Sequence, residues 1–156
     1  MKRELVILIS FLSLICISQN TQAQITKKQL NGTWQAESPD IGSGYGELYR
    51  FYLDGKFSYS PSENDGLKRI ISIKGTYEIK GKELLLTTTS TEEIVGGNLT
   101  RDPFSTTNDS WVIKGGKLVE VKLNPVVHYL TIELNRDTPH SEPSILIDNR
   151  PFYRLN

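Results

Sequence analysis

Along the best-patterned stretches of this chain apolar side chains recur at every second position, and no window sustains the three-to-four spacing of a helix face. In 126–134, Val126, His128, Leu130, Ile132 and Leu134 share one side, opposed by Val127, Tyr129, Thr131 and Glu133. In 68–80, Ile71, Ile73, Tyr77 and Ile79 oppose Ser72, Lys74, Thr76, Glu78 and Lys80. Successive strand residues point to opposite faces, so this alternation describes antiparallel sheet with one face buried and one wet.

Extending the reading along the chain places strands at 32–38, 45–53, 56–60, 68–80, 82–91, 107–114, 117–123, 126–134, 144–148 and 150–155. Only Gln24 to Leu30 suits a short helical turn. Asp54-Gly55, Lys80-Gly81 and Gly115-Gly116 mark tight reversals, where glycine supplies a positive φ without steric cost. The first reversal also sets a register. A two-residue turn at Asp54-Gly55 would split Tyr49, Phe51, Phe57 and Tyr59 between faces. A three-residue loop Leu53-Asp54-Gly55, with Gly55 left-handed, pairs Phe51 with Phe57 and Tyr49 with Tyr59 and collects all four on the buried side. Register follows the buried face, so the second is expected.

The segments 77–84 and 111–118 look alike, each an aromatic-edged hairpin around Lys-Gly. With no further copy in the chain, convergence on a common hairpin pattern explains them better than duplication. Gly96 to Asn108 and Asn135 to Ser144 carry Gly-Gly, Pro and Ser/Thr clusters and are expected to be long loops. Eight to ten strands joined mainly by short turns suggest an all-β, up-and-down antiparallel barrel, because closure removes exposed edges.

The N-terminus speaks to compartment. Lys2 and Arg3 precede a 13-residue apolar run from Leu5 to Ile17, and Thr21-Gln22-Ala23 ends in small residues at the positions a signal peptidase reads. A bilayer-spanning helix needs about 20 residues, so the run reads as a cleaved leader over 1–23 with no transmembrane anchor. The single domain is then 24–156, exported to periplasm or medium. Cys16 falls within the leader; lipid attachment there is disfavoured by bulky Ile15 immediately before it. The mature chain has no cysteine, and the 18 basic and 18 acidic residues leave it near neutrality once Lys2, Arg3 and Glu4 are removed. Disulfides, nucleic acid and anionic membrane are thereby poor candidates.

Catalytic patterns are missing from the sequence. There is no Gly-x-Ser-x-Gly elbow and no phosphate-binding glycine loop. Glu92-Glu93 are adjacent on a strand, so they face opposite ways and cannot work as an acid–base pair. His128 and His140 lack metal-ligand spacing, and Asp137, His140 and Glu142 match no known ligand pattern. No metal or other cofactor is expected. Three glycosylation-type triplets, at Asn31, Asn98 and Asn108, are discounted as chance in a chain whose leader and composition look bacterial.

Leu30-Asn31-Gly32-Thr33-Trp34 resembles the lipocalin superfamily, which carries Gly-x-Trp at the start of its first strand. Asp54-Gly55-Lys56-Phe57 and Gly75-Thr76-Tyr77 resemble small exported bacterial lipocalin-like barrels. The resemblance extends over the mature chain as a pattern of strands; its point motif is Gly32-x-Trp34, with a C-terminal arginine besides. It implies a ligand-holding barrel whose closed end is plugged by Trp34, with Arg154, or in reserve Arg150, lying over the indole.

These readings lead to an exported, non-catalytic barrel that binds a small apolar or amphipathic molecule. Tyr49, Phe51, Phe57, Tyr59, Tyr77 and Trp111 are expected to line its cavity and His128 to orient the guest. Two other readings stay open: a protein-binding or inhibitory module gripping a partner with loops 96–108 and 135–144, and a hydrolase or isomerase built on the same frame.

Overall fold

The computed structural model describes residues 24–37, 46–62, 66–102, 110–136 and 143–155. The expected leader with Cys16, and the loop residues Asp137, His140 and Glu142, lie outside these. Helix α1 (Lys27–Leu30) is followed by ten strands: β1 (Gly32–Ala36), β2 (Leu48–Phe51), β3 (Lys56–Ser60), β4 (Ile70–Lys80), β5 (Glu83–Val95), β6 (Asn98–Arg101), β7 (Trp111–Lys114), β8 (Lys117–Leu134), β9 (Ser144–Ile147) and β10 (Arg150–Leu155). Eight of them form a closed antiparallel barrel in the order β1-β10-β9-β8-β5-β4-β3-β2, and β6 pairs only with β7.

The register at the first hairpin follows the aromatics. Phe51 is opposite Phe57 and Tyr49 opposite Tyr59, with Gly55 at φ 84°. Tyr49 then stacks on Phe51 at 5.5 Å, and Phe51 meets Tyr77 edge-on at 5.1 Å. Phe51, Phe57, Tyr77, Leu84, Leu86, Ile132, Ile145 and Phe152 build the core. Each such side chain contributes roughly 1.5–3 kcal/mol on burial, whereas ion pairs such as Lys56–Asp54 and Lys80–Glu78 lie in solvent and are screened. The aromatic interior, not the charged surface, holds the barrel together.

One end of the barrel is corked. Thr26 caps α1: its Oγ1 accepts from Gln29 N at 3.3 Å, and Gln29 Oε1 accepts from Thr26 N at 3.0 Å. That short turn drives Ile25 and Leu30 into the core. The Trp34 indole N–H donates to the Leu30 carbonyl at 2.7 Å, and the Arg154 guanidinium lies 5.7 Å from the Trp34 ring centre. The arginine expected over the tryptophan is therefore Arg154; Arg150 instead reaches Glu37 and Glu47 at the other end.

Three sequence expectations are corrected. The stretches 117–123 and 126–134 form one continuous strand, β8, because Asn124-Pro125 falls where the β5 register shifts between Thr88 and Ser90. Proline's missing N–H is tolerated there, at a bulge on a strand edge. The supposed loop 96–108 contains β6, paired with β7 from Asn98↔Lys114 to Arg101↔Trp111. Gly96, Gly97, Gly115 and Gly116 all have positive φ. These paired Gly-Gly breaks bend the β5–β8 ribbon into a separate flap.

The flap accounts for the third correction. Trp111 belongs to β7, not to the barrel wall, and stays 41% exposed with Arg101 over its ring at 5.7 Å. The hairpin pattern shared by 77–84 and 111–118 does not distinguish a wall hairpin from one swung out on glycine hinges.

Candidate functional site

β9 meets β8 only from Ile132 to Leu134. Beyond that level, among the described residues, β8 has β5 on one edge and no strand on the other, and the wall is open on that side. The concave face exposed there holds a cavity of about 260 Å³. Tyr49 of β2 and Phe57 and Tyr59 of β3 form its aromatic side. Ile73 of β4 and Leu86 and Thr88 of β5 form its back, and His128 and Leu130 of β8 form its rim. The cork residues Ile25, Leu30, Trp34 and Arg154 take no part in this lining; the nearest approach is Tyr49, which pairs with Trp34 in the β1–β2 ladder.

The expected site residues fall into three groups. Tyr49, Phe57, Tyr59 and His128 come together around the cavity. Phe51 and Tyr77, at 1% and 2% exposure, lie in the packed core instead; the Tyr77 hydroxyl donates to the Tyr52 carbonyl at 2.9 Å. Trp111 is on the flap, as above. Ile73, Leu86, Thr88 and Leu130 complete the lining without having been singled out as site residues. Ile73 and Leu130 carried the alternation that marks a buried face, but only closure of the sheet puts them at one hollow.

His128 projects from the inner face directly opposite Leu86. It is exposed, and its side chain forms no hydrogen bond within the described residues. A core histidine bonded to a neighbouring Tyr or Thr is thus not what the fold makes of it; its imidazole faces a solvent-reached hollow. Burial pushes the Tyr49 phenol up to about 12, with Glu47 and Asp148 adding to the effect. Burial likewise pushes Tyr59 up to about 12, helped by the neighbouring Glu47 carboxylate, which accepts its hydroxyl proton in a hydrogen bond. Both phenols are therefore neutral donors at physiological pH, not bases or nucleophiles. The rings meet at 4.8 Å and form one wall.

A second hollow, about 320 Å³, lies at the corked end between Ile25, Gly81, Ile132 and Leu146. The Lys82–Glu133 ion pair at 3.3 Å and Arg136 border it. Its larger volume does not make it the better site, because Lys82 and Glu133 already pair with each other at the surface and no aromatic residue lines it. Among the described residues, no group of three His, Cys, Asp or Glu could hold a metal ion. No described helix is long and apolar enough to cross a membrane.

Comparison with family models, curated proteins and solved structures gives no match for this chain.

Proposed function

We propose that the protein is an exported barrel that binds one small apolar or amphipathic molecule in the cavity beside His128, without transforming it. The observation carrying this reading is the pairing of an aromatic wall, Tyr49–Phe57–Tyr59, with an imidazole that has no hydrogen bond of its own within the described residues. Ligand sites combine apolar contact area with a few convergent polar groups, and this hollow has both. The cavity is near the lower bound of common ligand sites, about 300 Å³, so the guest is small. His128 supplies orientation, and the neutral Tyr49 hydroxyl favours a guest carrying a hydrogen-bond acceptor, since the Tyr59 proton is already given to Glu47 in a hydrogen bond.

The cork supports the same reading. In a lipocalin-like barrel the first-strand tryptophan closes one end and leaves the other for the guest; Trp34 with Arg154 would fill that role, and neither lines the cavity beside His128. Export rests on the leader pattern of residues 1–23. Titration with 8-anilinonaphthalene-1-sulfonate tests the proposal. The dye should bind at one saturable site per chain, and Thr88→Trp, which fills the cavity, should abolish that site while strand content by circular dichroism is kept. Equal dye binding by wild type and Thr88→Trp would refute the assignment.

A further inference from the structure

β5 runs along one edge of β8 from Lys117 to Thr131, whereas β9 covers the other edge only from Ile132 to Leu134. Among the described residues, 117–130 thus turn a row of backbone donors and acceptors outward, a template for another strand. The upper part of this edge is also apolar and open: Leu118 is 59% exposed, and Val119 and Leu123 are each 38% exposed. The lower part is blunted by Pro125, which has no N–H to offer, and by the register shift beside it. The usable edge is therefore 117–123.

We propose that this edge pairs antiparallel with the same edge of a second copy, about a twofold axis through Val121. A continuous sheet made by such an axis opposes residues that lie on the same face, so the axis must pass through a residue. Placed at Glu120 it would set that carboxylate against its own copy; placed at Lys122 it would do the same with two ammonium groups. Placed at Val121 it sets Glu120 against Lys122 of the partner subunit, twice, and Val119 against Leu123 of the partner subunit. Opposite charges across a strand pair attract and like charges repel, so the sequence around Val121 is complementary to itself in this register.

Among the described residues Glu120 also has no ion pair within its own chain. It faces Glu92 across the β5–β8 ladder, and that carboxylate is already held by Lys74 at 2.8 Å and Ser72 at 2.6 Å. A lysine delivered by the second copy offsets the repulsion that β5 leaves. Pairing stops short of Val126, so His128 and the cavity stay free, and this interface stands or falls apart from ligand binding.

Sedimentation velocity on the full chain, across a concentration series, tests the proposal. A reversible dimer is expected. Glu120→Lys or Lys122→Glu alone should weaken it about tenfold by setting like charges opposite, and the double reversal E120K/K122E should restore it. That rescue separates lost pairing from lost folding. With Cys16→Ser as background, Val121→Cys should form an interchain disulfide on oxidation, because opposed strand residues are about 4.5–5.5 Å apart at Cα. Leu118→Cys, opposed to Asn124 in this register, should not. A chain that stays monomeric up to about millimolar concentration, a dimer indifferent to charge reversal, or cross-linking at Leu118 in place of Val121 would each overturn it.

Discussion

Arg154 stands opposite Trp34 in the β1–β10 ladder, its guanidinium 5.7 Å from the indole centre, and donates to the Asn31 carbonyl at 2.7 Å. One side chain thus covers the cork and satisfies the backbone where α1 passes into β1. Gly32, at φ 135°, leaves room for it: a Cβ there would be 3.2 Å from Arg154 Nε. Arg154→Ala should lower unfolding free energy by about 1–3 kcal/mol, from the lost cation–π contact and the orphaned carbonyl. Arg154→Lys should recover only part, since an ammonium cannot make both contacts in the same plane. Urea denaturation followed by Trp34 fluorescence measures both.

Gly75 sits between Phe57 on β3 and Thr88 on β5. A Cβ at this position would collide with the Thr87 carbonyl and come within 3.0 Å of the Phe57 ring. The Phe57 side chain packs where Gly75 has none, which lets the sheet curve around the aromatic core. Gly75→Ala should therefore destabilise the fold by about 1–3 kcal/mol despite alanine's better chain entropy. Equal urea midpoints for variant and wild type would show that β5 moves aside freely.

Tyr49 and Tyr59 are both held up to about 12 in the fold, mainly by burial, while an unfolded tyrosine ionises near 10. A raised folded value means full stabilisation below about pH 10, lost progressively as pH climbs toward 12. Urea midpoints should fall across that window. The double variant Tyr49→Phe/Tyr59→Phe should fall less steeply, which isolates the contribution of these two phenols.

Trp111 contacts Arg101 on the flap at an exposed surface. An exposed cation–π pair is worth about 0.5–1 kcal/mol. Trp111→Ala should change barrel stability by no more than that and leave ligand affinity unaltered. A large loss of binding in this variant would return the indole to the cavity.

The legible part of this fold is the part where one face is buried. Phe51, Phe57, Tyr49 and Tyr59 specify the Gly55 loop because only one register gathers them, and the alternation marks the wall over Ile73–Ile79 and Leu130–Leu134. Beyond those stretches it fails, with Ser72 buried at 6% and Val126 exposed at 51%, next to the register shifts at Ile70/Ser72 and Thr88/Ser90. Asn124-Pro125 reads as a strand break because local turn chemistry carries no information on whether the missing N–H was needed; on an unpaired edge it was not. Trp111 reads as a wall residue because its hairpin is locally the same as the one at Tyr77. What moves it outward is the pair of glycine hinges acting across two strands, a non-local effect. The cavity lies between these cases: Tyr49, Phe57, Tyr59 and His128 could be named from alternation. Phe51 and Tyr77 stand directly opposite the cavity residues Phe57 and Leu86 in their ladders, so separating them required the curvature of the closed sheet, which strand pattern does not encode.

The most direct measurement is native mass spectrometry of wild-type protein and His128→Phe, each purified from the protein's own host. The account predicts that wild type carries one small molecule per chain, released on denaturation. It predicts that His128→Phe, folded to the same extent by circular dichroism, retains it with lower occupancy. Wild type flying at the bare chain mass in every preparation, or occupancy unchanged by His128→Phe, would contradict the claim that this cavity binds a guest oriented by His128.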